Sequence, residues 1–209
     1  MKGDIFHILN RGVNKQKIFF SNSDYERFIT SLYVFNNKNC AIRIHRKDFL
    51  ENPPEQDKIV EILQWTLMPN HYHILLQEVV DGGAVEFTKR LGNGYTKYFN
   101  IKNNRNGYLF QNSAKIIQVE DNPHFLYLPF YVNLNPLKLV DPLWKEKGIK
   151  DKLKAIKFLE SYKWGSVANF LGKENYSCLM NKALFFDLFE TDADTYKKNL
   201  LDWINDPKE

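Results

Sequence analysis

Lys58-Ile-Val-Glu-Ile-Leu-Gln-Trp-Thr-Leu-Met68 runs through Pro69-Asn70 into His71-Tyr-His-Ile-Leu-Leu-Gln-Glu78, and this stretch decides the fold. Two strand-length apolar runs meet at a tight turn, which predicts strands over 58–68 and 71–78. The run Ile74-Leu75-Leu76 marks the second as a central, buried strand. Side chains two apart on a strand share a face. His71 and His73 therefore stand side by side, with Tyr72 on the opposite face.

Working outward, residues 4–10 read as a first strand, ended by Arg11-Gly12. Ser23-Asp24-Tyr25-Glu26 has the form of a capping box with Ser23 as N-cap. Helical spacing follows through Phe28, Ile29, Leu32 and Phe35 until residues 36–39 break it. Residues 40–46 alternate apolar and polar, which predicts another strand, and 51–56 form a loop. Asp81-Gly82-Gly83 leads into a helix over 84–102, and Lys115 to Val119 reads as a short strand. A further helix is expected from about Asp121-Asn122-Pro123 to Asn135, where Pro136 stops it. The order β-α-β-β-β-α-β-α predicts an α+β fold, an antiparallel sheet with helices packed on it. Residues 1–140 carry this unit, and 141–209 read as a helical C-terminal extension packed on it.

Composition narrows the function classes. At 209 residues, 44% hydrophobic and 26% charged, the chain is not disordered throughout. No stretch approaches the roughly 20 uncharged apolar residues of a membrane span. The start, Met1-Lys2-Gly3-Asp4, has no secretory pattern. Cys40 and Cys178 are far apart and outside any C-x-x-C, which argues against a disulfide scaffold or cysteine zinc site and points to a reducing cytoplasm. The net charge of +4 is mild, but the excess of basic side chains all lies in residues 1–120. Between 84 and 115, Lys89, Arg90, Lys97, Lys102, Arg105 and Lys115 face a single acid, Glu86. Tyr95, Tyr98, Phe99, Tyr108 and Phe110 are interleaved with them. Such a stretch can hold phosphates and stack bases; a solvated helix face is the plain alternative.

Two motifs carry chemistry. Neutral imidazoles at the spacing of His71 and His73 can bind one metal ion; alternatively they are core histidines satisfied by hydrogen bonds. His7, on the first strand, faces the same side under one reading and is a core residue under the other. In Tyr131-Val-Asn-Leu-Asn135-Pro136, Tyr131 and Asn135 share a helix face; alternatively Tyr131 packs in the core and Asn135 ends the helix. Combined, the motifs propose a metal on His71, His73 and the Asn135 amide oxygen, beside the Tyr131 hydroxyl. That is equipment for attack on a phosphodiester through a covalent phosphotyrosine.

These residues, in this order, resemble the HUH superfamily, in particular single-tyrosine transposases of the IS200/IS605 group and most closely the REP-associated tyrosine transposase branch. The resemblance runs from His7-Ile-Leu-Asn-Arg11-Gly12 through Asp24-Tyr-Glu-Arg-Phe28 and Pro69-Asn-His-Tyr-His73. It continues over Tyr95-Thr-Lys-Tyr-Phe-Asn100, Gly107-Tyr-Leu-Phe-Gln111, Tyr131 to Pro136 and Tyr162-Lys-Trp-Gly-Ser166. It implies a ferredoxin-like sheet and a metal-dependent endonuclease and strand transferase acting on single-stranded DNA at hairpins. By analogy Tyr131 is the nucleophile, forming a 5′-phosphotyrosine link and releasing a 3′-hydroxyl, and His71, His73 and Asn135 hold Mg2+ or Mn2+. Arg11, Arg90, Lys97, Arg105 and Lys115 are the candidate phosphate contacts, and Trp164 an anchor for the C-terminal part. The implied location is cytoplasmic and nucleoid-associated. Monomer and homodimer are both compatible with the sequence. The chain departs from the pattern at Pro129, at Phe130 where an arginine is common, and at Asn112-Ser113-Ala114 before Lys115. Those departures keep a catalytically weakened hairpin-binding relative as the alternative, with a metal-dependent hydrolase of small phosphoesters as a third reading.

Overall fold

Strands β1 (Ile5–Arg11), β2 (Val60–Met68), β3 (His71–Glu78) and β4 (Lys115–Gln118) form one sheet in the order β2-β3-β1-β4, every neighbouring pair antiparallel. Helix α1 (Asn22–Val34) crosses from β1 to β2, and α2 (Gly83–Lys102) crosses from β3 to β4. This β-α-β-β-α-β order is the ferredoxin-like arrangement. The computed structural model describes residues 1–39, 53–120 and 123–205, so the strand expected over 40–46 lies outside the described residues. Helix α3 (Pro123–Leu134) follows, running into a 3-10 turn at Asn135–Leu139 with Pro136 in its first turn.

The predicted hairpin is present, with Met68 opposite His71 and Thr66 opposite His73. A bulge between Ile62 and Gln64 shifts the register by one, so that Ile62 pairs with Leu76 and Gln64 with Leu75 and the two fall on opposite faces. The turn is braced by the segment that follows β1: the Ile18 amide donates to Pro69 O at 2.8 Å, and the Gly12 amide to Asn70 O at 2.9 Å. Gly12 is required there, since a Cβ would lie 2.3 Å from Gln16 O and 2.9 Å from Ile18. Gly12→Ala should cost about 1–3 kcal/mol through this clash; a urea midpoint equal to that of the native chain would refute it.

The two sheet faces have different partners. Tyr72, fully buried, packs on Phe28 of α1, and Phe28 packs on Tyr95 of α2. The other face, carrying His7, His71 and His73, is covered by α3, where Thr66 Oγ1 donates to Val132 O at 2.8 Å. The C-terminal residues add α4 (Trp144–Lys147), α5 (Lys152–Ser161), α6 (Val167–Phe170), α7 (Lys182–Leu188) and α8 (Ala193–Asn205). Residues 164–166 line the free edge of β2: the Leu67 amide donates to Trp164 O and the Ser166 amide to Trp65 O, both at 2.8 Å. Trp164 also stacks on Tyr25 at 4.5 Å, so it anchors this segment.

One local expectation changes. The capping box of α1 uses Ser21 and Asp24, not Ser23 and Glu26. Asp24 Oδ2 accepts from the Phe20 and Ser21 amides at 2.8 and 3.0 Å, while Oδ1 accepts from Lys102 Nζ at 2.6 Å and from the Tyr98 hydroxyl at 3.0 Å. Partners from α2 select this carboxylate, and local spacing cannot show them. Pro129, a departure from the family pattern, lies inside α3 and does not end it. Buried Leu128 and Val132 hold the helix on the sheet, and Phe130 stacks between Tyr196 (5.2 Å) and Trp203 (5.8 Å) of α8. The position where an arginine was expected is thus a packing position.

Candidate active site

The paired register places the histidines. His73 lies opposite Thr66 on one side and Leu9 on the other; His71 lies opposite Met68 and Arg11. Their rings meet edge to face, centroids 5.1 Å apart. The end of α3 brings in the second motif. The Tyr131 ring lies 5.3 Å from His73, nearly perpendicular to it. Asn135 is fully buried, with Nδ2 3.4 Å from His73 Nε2. It also interacts with His71 and with the Tyr131 hydroxyl. Segments some sixty residues apart in sequence therefore converge within one chain.

Hydrogen bonds define which ring nitrogens are available. Asn70 Nδ2 donates to Lys15 O at 3.1 Å, so its Oδ1 faces His71 Nδ1 at 2.7 Å. An amide oxygen only accepts, so His71 carries its proton on Nδ1 and presents a lone pair at Nε2. Behind His73, His7 Nε2 lies 2.9 Å from His73 Nδ1 with the rings stacked. His7 thus contacts the far nitrogen of His73, not the side facing Asn135. Burial, with Arg11 and Lys138 nearby, pulls the His71 pKa down to about 4. Burial and the neighbouring His7 push His73 well below its ordinary value. Both imidazoles are neutral at pH 7, the form that donates a lone pair to a cation. Asn135 Oδ1 is buried without a hydrogen-bond partner, which leaves its lone pairs open to a ligand. Among the described residues no group of three His, Cys, Asp or Glu side chains is placed to hold a metal. Two imidazoles and one carboxamide oxygen are therefore the donor set this site offers.

Burial raises the Tyr131 phenol above its ordinary value, partly offset by Asn135, so it is protonated at neutral pH. One neighbour was not legible in the sequence: Lys145 of α4, with Nζ 3.8 Å from the Tyr131 ring centroid. Burial and Lys138 lower its pKa to about 8.

The candidate phosphate contacts do not share one surface. Arg11 and Lys115 lie on the histidine face, Arg11 opposite His71 and Lys115 opposite Leu9 on edge strand β4. Lys97 is on α2, across the sheet, where it lines a groove of about 830 Å³ with Lys89, Asn93, Tyr108 and Ser113. Arg105 donates to Tyr108 O at 2.9 Å and lies over Phe99. Arg90 is engaged within the fold, bonding Glu86 at 2.8 Å and Asn37 O at 2.7 Å.

Among solved structures, the chain is similar to one described as the REP-associated tyrosine transposase bound to a REP hairpin. The match covers 82% of this chain and 81% of that one, with a TM-score of 0.50 and 13% identity. The likeness is one of fold. No protein-family model matches the sequence, and no curated protein matches it significantly. Among the described residues, no helix is long and apolar enough to cross a membrane.

Proposed function

We propose that the chain is a metal-dependent endonuclease and strand transferase acting on single-stranded DNA at hairpins. The observation that carries this reading is the convergence of Tyr131 with His73 and Asn135, the ring 5.3 Å from the imidazole. A shared fold alone would not, since one fold hosts many chemistries. The neighbour's hairpin complex supports DNA as the substrate.

In this reading His71 Nε2, His73 Nε2 and Asn135 Oδ1 would hold Mg2+ or Mn2+, the Asn135 amide turning over to present Oδ1 where Nδ2 lies 3.4 Å from His73 Nε2. Bound there, the ion would act as a Lewis acid on a non-bridging oxygen of the scissile phosphate. Tyr131 attacks phosphorus: the phenolic oxygen gains the P–O bond and loses its proton, while the bond to the 3′ oxygen breaks and that oxygen leaves as a hydroxyl. The 5′ end remains on Tyr131 as a phosphodiester, which a second 3′-hydroxyl can reverse. Asn135 would orient both partners, since its carboxamide lies against His73 and acts electrostatically on His71 and on the Tyr131 phenol.

The test is a gel assay of the full chain with a pool of labelled hairpin oligonucleotides bearing single-stranded flanks, with Mn2+ or Mg2+. Covalent protein–DNA adducts that disappear with chelator support the reading. Salt-dependent binding without cleavage favours the hairpin-binding alternative, and indifference to DNA excludes both.

His7 has a positioning role on this reading. A cation on His73 Nε2 needs the proton on Nδ1, donated to His7 Nε2. Second-contact partners of this kind set ligand tautomer and are worth about 10–100-fold in metal affinity. His7→Phe should therefore raise the Mn2+ concentration needed for half-maximal adduct formation about tenfold or more, with little change in the maximum at saturating metal. An unchanged half-saturation point would remove the role.

A further inference from the structure

We infer that Lys145 is a catalytic residue whose ammonium holds a non-bridging oxygen of the phosphate attacked by Tyr131. The inference rests on the reading above and extends it to a residue outside the two motifs.

The argument is geometric. Nζ sits 3.8 Å from the centre of the Tyr131 ring. The phenolic oxygen is one ring radius and one C–O bond from that centre. A phosphate in contact with this oxygen can place a non-bridging oxygen within hydrogen-bond reach of Nζ. The placement is built in. Lys145 belongs to the short helix α4, whose first residue, Trp144, is almost fully buried. The turn before it is closed by the Trp144 amide donating to Asp141 O at 3.2 Å and the Lys150 amide donating to Asp141 Oδ2 at 3.1 Å. Lys145 is half-buried, and among the described residues no carboxylate lies within ion-pair distance of it. Its contacts are the faces of Tyr131 and Trp144, the latter at 5.5 Å. Lys138 adds a second positive charge nearby, and Glu146 is the acid that acts on it. A lysine drawn out of water beside a second cation carries an electrostatic cost, although the face of the neutral Tyr131 ring attracts it. An anion at that spot removes the cost. The same charge stabilises the phosphate as negative charge builds on its oxygens, where preorganised donors act most strongly.

Two measurements test this. In chelator, the full chain is titrated with the pooled hairpin oligonucleotides over a range of salt. Removing one phosphate contact to single-stranded DNA lowers the slope of log affinity against log salt by about 0.7. Lys145→Met should show that drop, and Lys145→Arg should restore the slope. With Mn2+ present, Lys145→Met should slow adduct formation about 100-fold, with Lys145→Arg recovering most of it. A Lys145→Met chain with wild-type slope and wild-type adduct rate overturns the inference while leaving the nuclease reading intact. A slope drop in a wild-type background that forms no adduct keeps the phosphate contact and defeats the nuclease reading. A wild-type chain that binds no DNA overturns both.

Discussion

Replacing Tyr131 by phenylalanine should abolish covalent capture of DNA and leave hairpin binding near the wild-type level. The substitution deletes one oxygen and keeps the ring. The edge contact with His73 at 5.3 Å, the packing against Tyr127 at 6.0 Å and the Lys145 contact at 3.8 Å all survive. The pocket therefore keeps its shape, its charge and its candidate metal donors. What disappears is the only atom of this side chain able to form a bond to phosphorus. Loss of a covalent nucleophile is worth roughly a thousandfold or more in rate. Adduct formation should fall below detection while the hairpin dissociation constant moves less than threefold. If the phenylalanine variant still becomes linked to a cleaved strand, another residue is the nucleophile and the assignment of Tyr131 is wrong.

The largest stability effect is expected at Asp24, far from the chemistry. Its side chain is fully buried, and it ties the start of α1 to Lys102 and Tyr98 near the end of α2. Asp24→Ala removes the capping box and leaves Lys102 without its carboxylate. Breaking such a pair costs about 3 kcal/mol, less than in a fully dry interior because Lys102 can turn to water. The effect should depend on pH in a defined direction. Burial pushes the Asp24 pKa up, but hydrogen bonds from Lys102, the Phe20 amide, Tyr98 and the Ser21 amide together pull it below the ordinary value of 3.8. A depressed carboxylate contributes stability that is fully present above its unfolded pKa and is lost as pH falls through the folded one. The gap between wild type and Asp24→Ala should therefore be constant near neutrality and shrink below about pH 4. Denaturant midpoints at pH 7 and at acid pH measure both. Equal midpoints at pH 7 would show that the buried network contributes nothing net.

Much of the candidate site was legible because its motifs obey local periodicities. A strand repeats every two residues, so His71 and His73 had to share a face; a helix repeats every 3.6, so Tyr131 and Asn135 had to share another. The roles of two other residues have no such signature. His7 contacts His73 only because β1 pairs with β3 in the register that sets His7 against Leu75 and Leu9 against His73. Lys145 is one of several lysines in its stretch, with no motif to single it out, and it lies over Tyr131 beside the buried Trp144. Phe130 and Arg90 show the converse. Phe130 looked like a missing phosphate contact and is a packing residue between Tyr196 and Trp203. Arg90, a candidate phosphate contact, also bonds Glu86 and the Asn37 carbonyl, partners that sequence spacing shows only in part.

By itself the sequence determined the hairpin, the order of strands and helices in the ferredoxin-like unit, and which side chains each element presents together. Those follow from backbone geometry repeated along a few neighbouring residues. Only the tertiary structure decided that α3 covers the histidine face rather than the Tyr72 face, that Ser21 and not Ser23 caps α1, and that α4 brings an ammonium to the phenol. Each of these choices depends on contacts between segments far apart in the chain, whose burial and charge no local pattern encodes.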